Sequence, residues 1–248
     1  MGAISPGGPD LIAEAVGLCA FPAGARVLDA GCGEGDALAF LKERFGLDGV
    51  GIDAFGELLD RGRERHPGLD LRLGEMTGLD FPSYAFDGVI MECSLSLCGM
   101  QEEALHEAYC VLKKGGKLII ADLYVREPDM REAERARREA RDFRMRPHAE
   151  GDCGRNEGAP PEYCLGGAFV ADYLIEACLD TGFENPAWSD RTALLNSFVA
   201  EKLFEYGSLA EYWRSILPSG AGLDRLCRAS GGAGGKLGYF LMTLDKPR

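Results

Sequence analysis

The stretch "RVLDAGCGEGDALAFLKERF", residues 26–45, restricts this chain more than any other. A short apolar run ends in glycines at 31, 33 and 35, and a pattern with apolar residues three and four apart follows at once. That reads as strand, tight turn, helix. Glycine lets a backbone turn where a Cβ would collide, either with the turn or with a ligand held close to it. The dinucleotide fingerprint G-x-G-x-x-G needs a glycine where Asp36 stands here. Asp29, two residues before the first glycine, would repel a pyrophosphate and suits a cationic amine. The residues favour a zwitterionic nucleoside over a dinucleotide.

The same alternation continues through the first half. Strands are predicted at Arg26–Gly31, Gly49–Ala54, Asp70–Glu75, Phe86–Cys93 and Lys117–Tyr124, with helical patterns between them and one more, "PDLIAEAVGLCAF", in front. Such regularity predicts a parallel sheet with helices on both faces. Open sheets of this kind bind ligands beyond the carboxyl ends of their strands. Asp53 ends the second strand in "VGIDAF" and can accept hydrogen bonds from both hydroxyls of a ribose. The third strand runs into "GEMTGLDF", where Glu75 can accept from an adenine amino group and Met76 can cover the ring.

The second half is less regular. It offers a charged helix around Glu132–Phe143, then "RPHAEGDCGRNEGAPPEYC", a Gly/Pro-rich stretch. An amphipathic helix in "AFVADYLIEACLDTGF", stopped by Gly182, comes next. A sixth strand in "NPAWSDRT", a helical region at Ala193–Leu217 and a final strand in "GYFLMTLDK" complete it. The last strand is expected to insert antiparallel near the sheet edge. A single domain is expected over residues 1–248, with a cofactor-binding half at 1–125 and substrate-side helices, loop and strands at 126–248.

Composition removes several function classes. The 248 residues are 46% hydrophobic, enough for a core without metal or disulfide help. A net charge of −13 repels phosphate backbones and anionic membranes, so neither nucleic acid nor membrane is an expected partner. The arginine-rich run "REAERARREARDFRMR" is laced with acids and reads as a solvated helix face. No basic-then-apolar leader and no apolar run near 20 residues occurs, so a soluble cytoplasmic protein is expected. Its oligomeric state is not legible. The cysteines number nine, an odd count, with no C-x-x-C pair, so neither a disulfide framework nor a metal site is expected. Cys19, Cys110, Cys178 and Cys227 sit in apolar helical patterns and read as small buried hydrophobes.

Taken together, "VLDAGCGEG", "GIDA", "GEMTGLDF", "FDGVIMECSLSL" and "VLKKGGKLIIAD" resemble the class I S-adenosylmethionine-dependent methyltransferases, over Arg26 to Tyr124. The resemblance implies a Rossmann-like methyltransferase fold, an α/β sheet of seven mostly parallel strands in the order 3-2-1-4-5-7-6. It implies S-adenosylmethionine as cofactor and a small-molecule methyl acceptor. Gly31 and Gly33 would then contact the methionyl part, Asp53 with Ala54 beside it the ribose, and Glu75 or Met76 the adenine. "PGGPD" at 6–10 would belong to an arm closing over the cofactor.

The fourth strand ends at Glu92 and Cys93, beside the transferable methyl in this family. Methyl transfer is an in-line displacement, and alignment supplies most of the acceleration. "ECSLSL" and "YCLGGAFVADYLIEACLDTGF" also resemble arsenite methyltransferases, in which the first strand end reads asparagine-cysteine and a further cysteine precedes small residues and a helix. That resemblance implies a metalloid or thiol compound held by Cys93 and Cys164, soft ligands for a soft centre. Cys98 or Cys153 would supply a third sulfur. Glu92 stands where those enzymes have asparagine, and a carboxylate there raises the pKa of the neighbouring thiol. The residues themselves leave other readings open. Cys93 can simply line a cofactor pocket. Glu92 can contact the cofactor, or orient the acceptor of an ordinary O-, N- or C-methyltransferase, or act as its general base. His148 is the one histidine considered for acid–base work. A non-catalytic cofactor-binding module also fits, and residues 147–163 could act as a lid.

Overall fold

The computed structural model describes residues 5–144, 164–165, 168–216 and 237–248. Helix α1 (Gly8–Cys19) precedes a regular series: β1 (Arg26–Ala30), α2 (Asp36–Phe45), β2 (Asp48–Asp53), α3 (Gly56–Arg65), β3 (Asp70–Leu73), β4 (Phe86–Glu92), α4 (Gln101–Val111) and β5 (Leu112–Val125). The second half adds α5 (Met130–Arg144), β6 (Cys164–Leu165), β7 (Ala168–Phe169), α6 (Ala171–Thr181), β8 (Glu184–Asp190), α7 (Thr192–Tyr206), α8 (Leu209–Ile216) and β9 (Leu237–Asp245).

Strands β3, β2, β1, β4 and β5 lie side by side and parallel. β9 runs antiparallel along β5, pairing Lys117↔Asp245 through Val125↔Leu237, and β8 pairs antiparallel with β9. Leaving aside β6 and β7, the order of strands by rank is 3-2-1-4-5-7-6, as the family resemblance implies. Among the described residues the sheet has nine strands, two beyond the seven of that order. The extra two, β6 and β7, are two residues long each and pair antiparallel, and β7 meets β5 at Tyr124↔Phe169. Strands this short carry no readable alternation, so the sequence pattern does not reveal them.

Alternate residues along each strand feed opposite layers, as the two-residue period of a strand requires. Leu28, Val89, Met91, Leu118 and Ile120 pack with α4 (Leu105, Ala108) and α6 (Leu174, Cys178). Val27, Ile90, Ile119 and Ala121 face the other way, onto α1 (Leu11, Ile12, Ala15), α2 (Leu38, Leu41), α3 (Leu59) and α7 (Leu195). Gly182, at φ 108, ends α6 as the sequence predicts. The single helical region expected at 193–217 is two helices, broken where Gly207 takes φ 75. A left-handed residue of this kind terminates a helix by satisfying its last carbonyls.

Cys19 and Cys178 are buried in the core as expected. Cys110 is only half-buried, with its Sγ 3.6 Å from His106 Nε2 one turn back on α4. His66 Nε2 lies 2.6 Å from Asp36 Oδ1. Cys153, Cys227, His148 and Gly151–Pro161 lie outside the described residues, as does the side chain of Cys164. Among the described residues no helix is long and apolar enough to cross a membrane.

Candidate active site

The parallel strands deliver their last residues to one edge of the sheet, and that edge is acidic. Asp29 near the end of β1 is 2% exposed, Asp53 at the end of β2 is 8% exposed, and Asp122 on β5 is 1% exposed. Glu92, the last residue of β4, is half-buried. The register explains the grouping: Asp29 sits across from Ile90 on β4, and Glu92 across from Ala121 beside Asp122.

The glycine loop spans the space between these acids. Gly31 and Cys32 donate their N–H groups to the Ile52 carbonyl at 2.8 and 2.9 Å, locking the turn onto β2. Gly31 takes φ 91, and a Cβ there would strike the Ser94 side chain, so only glycine fits. Gly33 takes φ 55, yet its Cβ direction is open, with nothing within 4 Å. Its backbone thus borders free space. The Gly33 N–H donates to Asp53 Oδ2 and the Phe55 N–H to Oδ1, each at 2.9 Å. Asp53 is therefore fixed in place next to Ala54, with acceptor capacity remaining on both oxygens. Ser94 donates to the Ala30 carbonyl at 2.7 Å and closes the floor.

Electrostatics distinguish these acids from the loop's own. Glu34 is neutralised by Arg61 at 2.8 Å and Arg65 at 2.7 Å. Asp29 has no such partner among the described residues, and its buried Oδ1 accepts no hydrogen bond there. Burial, then the nearby charges of Glu92 and Asp53, push its pKa up to about 8. Burial likewise raises Asp53, against the pull of its backbone donors. Glu92 is pushed to about 7 by burial, with Ser5 opposing and Asp122 adding. Asp122 is raised to about 6 by burial although the Ser96 and Leu123 N–H groups hold its two oxygens at 2.9 and 2.7 Å. A buried carboxylate at such a pKa gains most from a cation placed against it. A cationic ligand meets that requirement, and the Cβ direction of Gly33 is open beside it.

Cys93 follows Glu92 in a left-handed conformation, φ 51, unusual for a residue with a side chain. Its Sγ is 3.1 Å from the hydroxyl of Tyr239, which is fully buried on β9. Burial, with Asp122 and Glu92 adding, drives the thiol well above its ordinary pKa, against the Tyr239 bond. The site thus favours the neutral form of this thiol. Met76 is half-buried beside Gly31, whereas Glu75 is exposed at the rim. Of Cys164 the structure describes the backbone, which pairs with Phe169. Among the described residues no cluster of His, Cys, Asp or Glu has the makings of a metal site.

Three residues here escaped the sequence reading. Asp122 carries the signal that marks Asp29 and Asp53, an acid closing an apolar run in "KLIIAD", and could have been found by it. Tyr239 comes from the inserted antiparallel strand and Ser5 from the N-terminal arm, 87 residues from its partner Glu92. Neither has a local signal.

A family model described as a methyltransferase domain matches residues 27–116. Residues 27–116 are a class I S-adenosylmethionine-dependent methyltransferase domain. A demethylmenaquinone methyltransferase from Renibacterium salmoninarum is 37% identical over 112 residues, 45% of this chain and 46% of that protein. An arsenite methyltransferase from Halobacterium salinarum is 29% identical over 112 residues, 42% of this chain and 29% of that protein. The matched stretches thus span less than half the length of these two relatives. Among solved structures, a phosphoethanolamine N-methyltransferase from Haemonchus contortus in complex with S-adenosylmethionine superposes with a TM-score of 0.69, at 19% identity, over 99% of this chain and 54% of that one. That likeness speaks for the fold. The methyltransferase domain carries the glycine loop, Asp29, Asp53 and Glu92, whereas Ser5, Asp122 and Tyr239 reach the same edge from outside it.

Proposed function

We propose that this chain transfers a methyl group from S-adenosylmethionine to a small molecule whose N–H or O–H is held by Glu92. The observation that carries the reading is the buried Oδ1 of Asp29, which accepts no hydrogen bond among the described residues, set between an open glycine loop and Glu92. When bound, the cofactor supplies an electrophilic methyl on a positively charged sulfur. The chain does the rest. Asp29 compensates the cationic end, Asp53 takes the ribose hydroxyls, and Met76 covers the adenine. Glu92, its affinity for a proton matched to neutral pH, accepts the acceptor's hydrogen bond and then its proton. The small-molecule scale of the acceptor agrees with the acidic surface, which disfavours nucleic acid.

A second reading has an observation of its own. Cys93 lies next to Glu92 at the strand end, as in the arsenite methyltransferase resemblance, and one matched relative bears that name. A trivalent metalloid bound by Cys93 and Cys164 would displace the thiol protons and present a lone pair that needs no base. The raised pKa of Cys93 weighs against it, because thiolate formation is disfavoured.

Calorimetry with S-adenosylmethionine and S-adenosylhomocysteine tests the common premise, and a folded protein that binds neither overturns both readings. Given binding, methyl transfer to amine and hydroxyl acceptors is expected to collapse in Glu92→Gln and survive in Cys93→Ser. Transfer to trivalent arsenic with added thiol, lost in Cys93→Ser and Cys164→Ser, would decide for the metalloid instead.

A further inference from the structure

Glu92 is held from an unexpected direction. Among the described residues its side chain has one hydrogen-bond partner, Ser5, whose Oγ donates to Oε1 at 2.6 Å. Ser5 belongs to the N-terminal arm, not to the matched domain. The arm turns sharply there: the Gly8 N–H bonds the Ser5 carbonyl at 3.1 Å, and Gly7 takes φ 87. A Cβ on Gly7 would lie 2.8 Å from Leu194 of α7 and 3.0 Å from Leu11, so the turn is wedged against α7 and α1. An ion pair between Glu14 of α1 and Arg191 fixes the same two helices.

Resting on the methyl-transfer reading above, we propose that Ser5 is a positioning residue for that reaction. Its hydroxyl anchors Oε1 of Glu92 and thereby orients Oε2 toward the acceptor. The groups facing Glu92 from its neighbours are otherwise anionic or neutral: Asp29 on β1, Asp122 on β5, the thiol of Cys93 and the hydroxyl of Tyr239 on β9. Against that field, the Ser5 donor is the one contact that favours the ionised form. A carboxylate without it would ionise at higher pH and rotate among its acidic neighbours. The arm thus becomes part of the active site, and acceptor chemistry depends on residues far from the cofactor loop.

The test compares wild type with Ser5→Ala, Ser5→Thr and Gly7→Ala. In protein without cofactor, a carbon-13 titration of the Glu92 carboxyl is expected to move its midpoint upward by about one pH unit in Ser5→Ala, on the scale of a charge-assisted hydrogen bond. Gly7→Ala, which displaces the turn, should move it the same way, and Ser5→Thr should restore it. In turnover, the acid limb of the kcat profile should shift by the same amount, while affinity for S-adenosylhomocysteine stays within about twofold. A midpoint that does not move in Ser5→Ala overturns the inference. So does a midpoint that moves while the acid limb stays put. Failure to bind S-adenosylhomocysteine would instead bring down the methyl-transfer reading, with the titration still deciding Ser5's hold on Glu92.

Discussion

The two edges of this sheet treat their acids in opposite ways. At the amino-terminal edge, Lys113 reaches both oxygens of Asp87 at 2.9 and 2.8 Å, and Lys117 reaches Asp245 at 2.5 Å. Partial burial pulls the pKa of each carboxylate up, but the lysine bonds, with help from the Arg26 N–H and from Asn185, outweigh it, and both end below the ordinary value. At the carboxyl-terminal edge, Asp29, Glu92 and Asp122 are pushed up to about 8, 7 and 6. No lysine or arginine contacts them among the described residues. The first edge is complete within the chain. The second stores a demand for positive charge that folding does not satisfy, and unmet demand of this kind marks a ligand site.

The largest effect expected from breaking that contrast is in binding. Asp29→Asn should weaken affinity for S-adenosylhomocysteine by about 30- to 100-fold, as for loss of a buried charged contact. Asp87→Asn should leave it unchanged, and calorimetry on both variants checks the pair. Equal losses would mean that the two edges do not differ in kind.

A second expectation concerns protons. Placing an ammonium against Asp29 lowers that carboxyl's pKa, so binding near pH 7 should release protons. Calorimetry in buffers of different ionisation enthalpy reads the number directly, and uptake rather than release would break the assignment. Stability carries the same sign. Between about pH 4 and 8 the folded protein keeps protons on Asp29, Glu92 and Asp122 that the unfolded chain has lost, so these groups stabilise at low pH and less as pH rises. The ligand-free Tm should therefore fall from pH 5 to pH 8, with a smaller slope in Asp29→Asn. Asp87 and Asp245 act in the opposite sense, losing their contribution as pH drops through the acid range below their ordinary values.

The smallest effect belongs to the satisfied edge. The ion pairs there are a quarter to nearly half exposed, so Lys113→Ala or Lys117→Ala should destabilise by only about 0.5 to 1 kcal/mol. Denaturant unfolding measures this, and ligand affinity should not change. A large loss of affinity in either variant would show that the two edges are coupled.

Most of the proposed cradle was legible because its parts are local. Asp29 and Asp53 each close an apolar run before a turn, and a strand end in a parallel sheet always faces the same edge. Gly31 and Gly33 were legible as a turn, but only the structure separates them. One is required by Ser94 and the other borders open space. The end of β4 was legible in Glu92 and Cys93, and their contacts with Ser5 and Tyr239 were not. Tyr239 meets Cys93 because β9 inserts antiparallel beside β5, a pairing between residues 146 apart. The charge state of Cys93 also escaped the motif. A resemblance can place a sulfur, but burial beside two carboxylates sets its protonation.

The sequence alone determined the alternation of strand and helix, the acids at strand ends and the overall negative charge, since these depend on spacing within a few residues. The tertiary structure decided which acids lack a cation, which thiol stays protonated and how the N-terminal arm reaches Glu92. Those properties depend on burial and on contacts between residues far apart in the chain, and no local pattern encodes either.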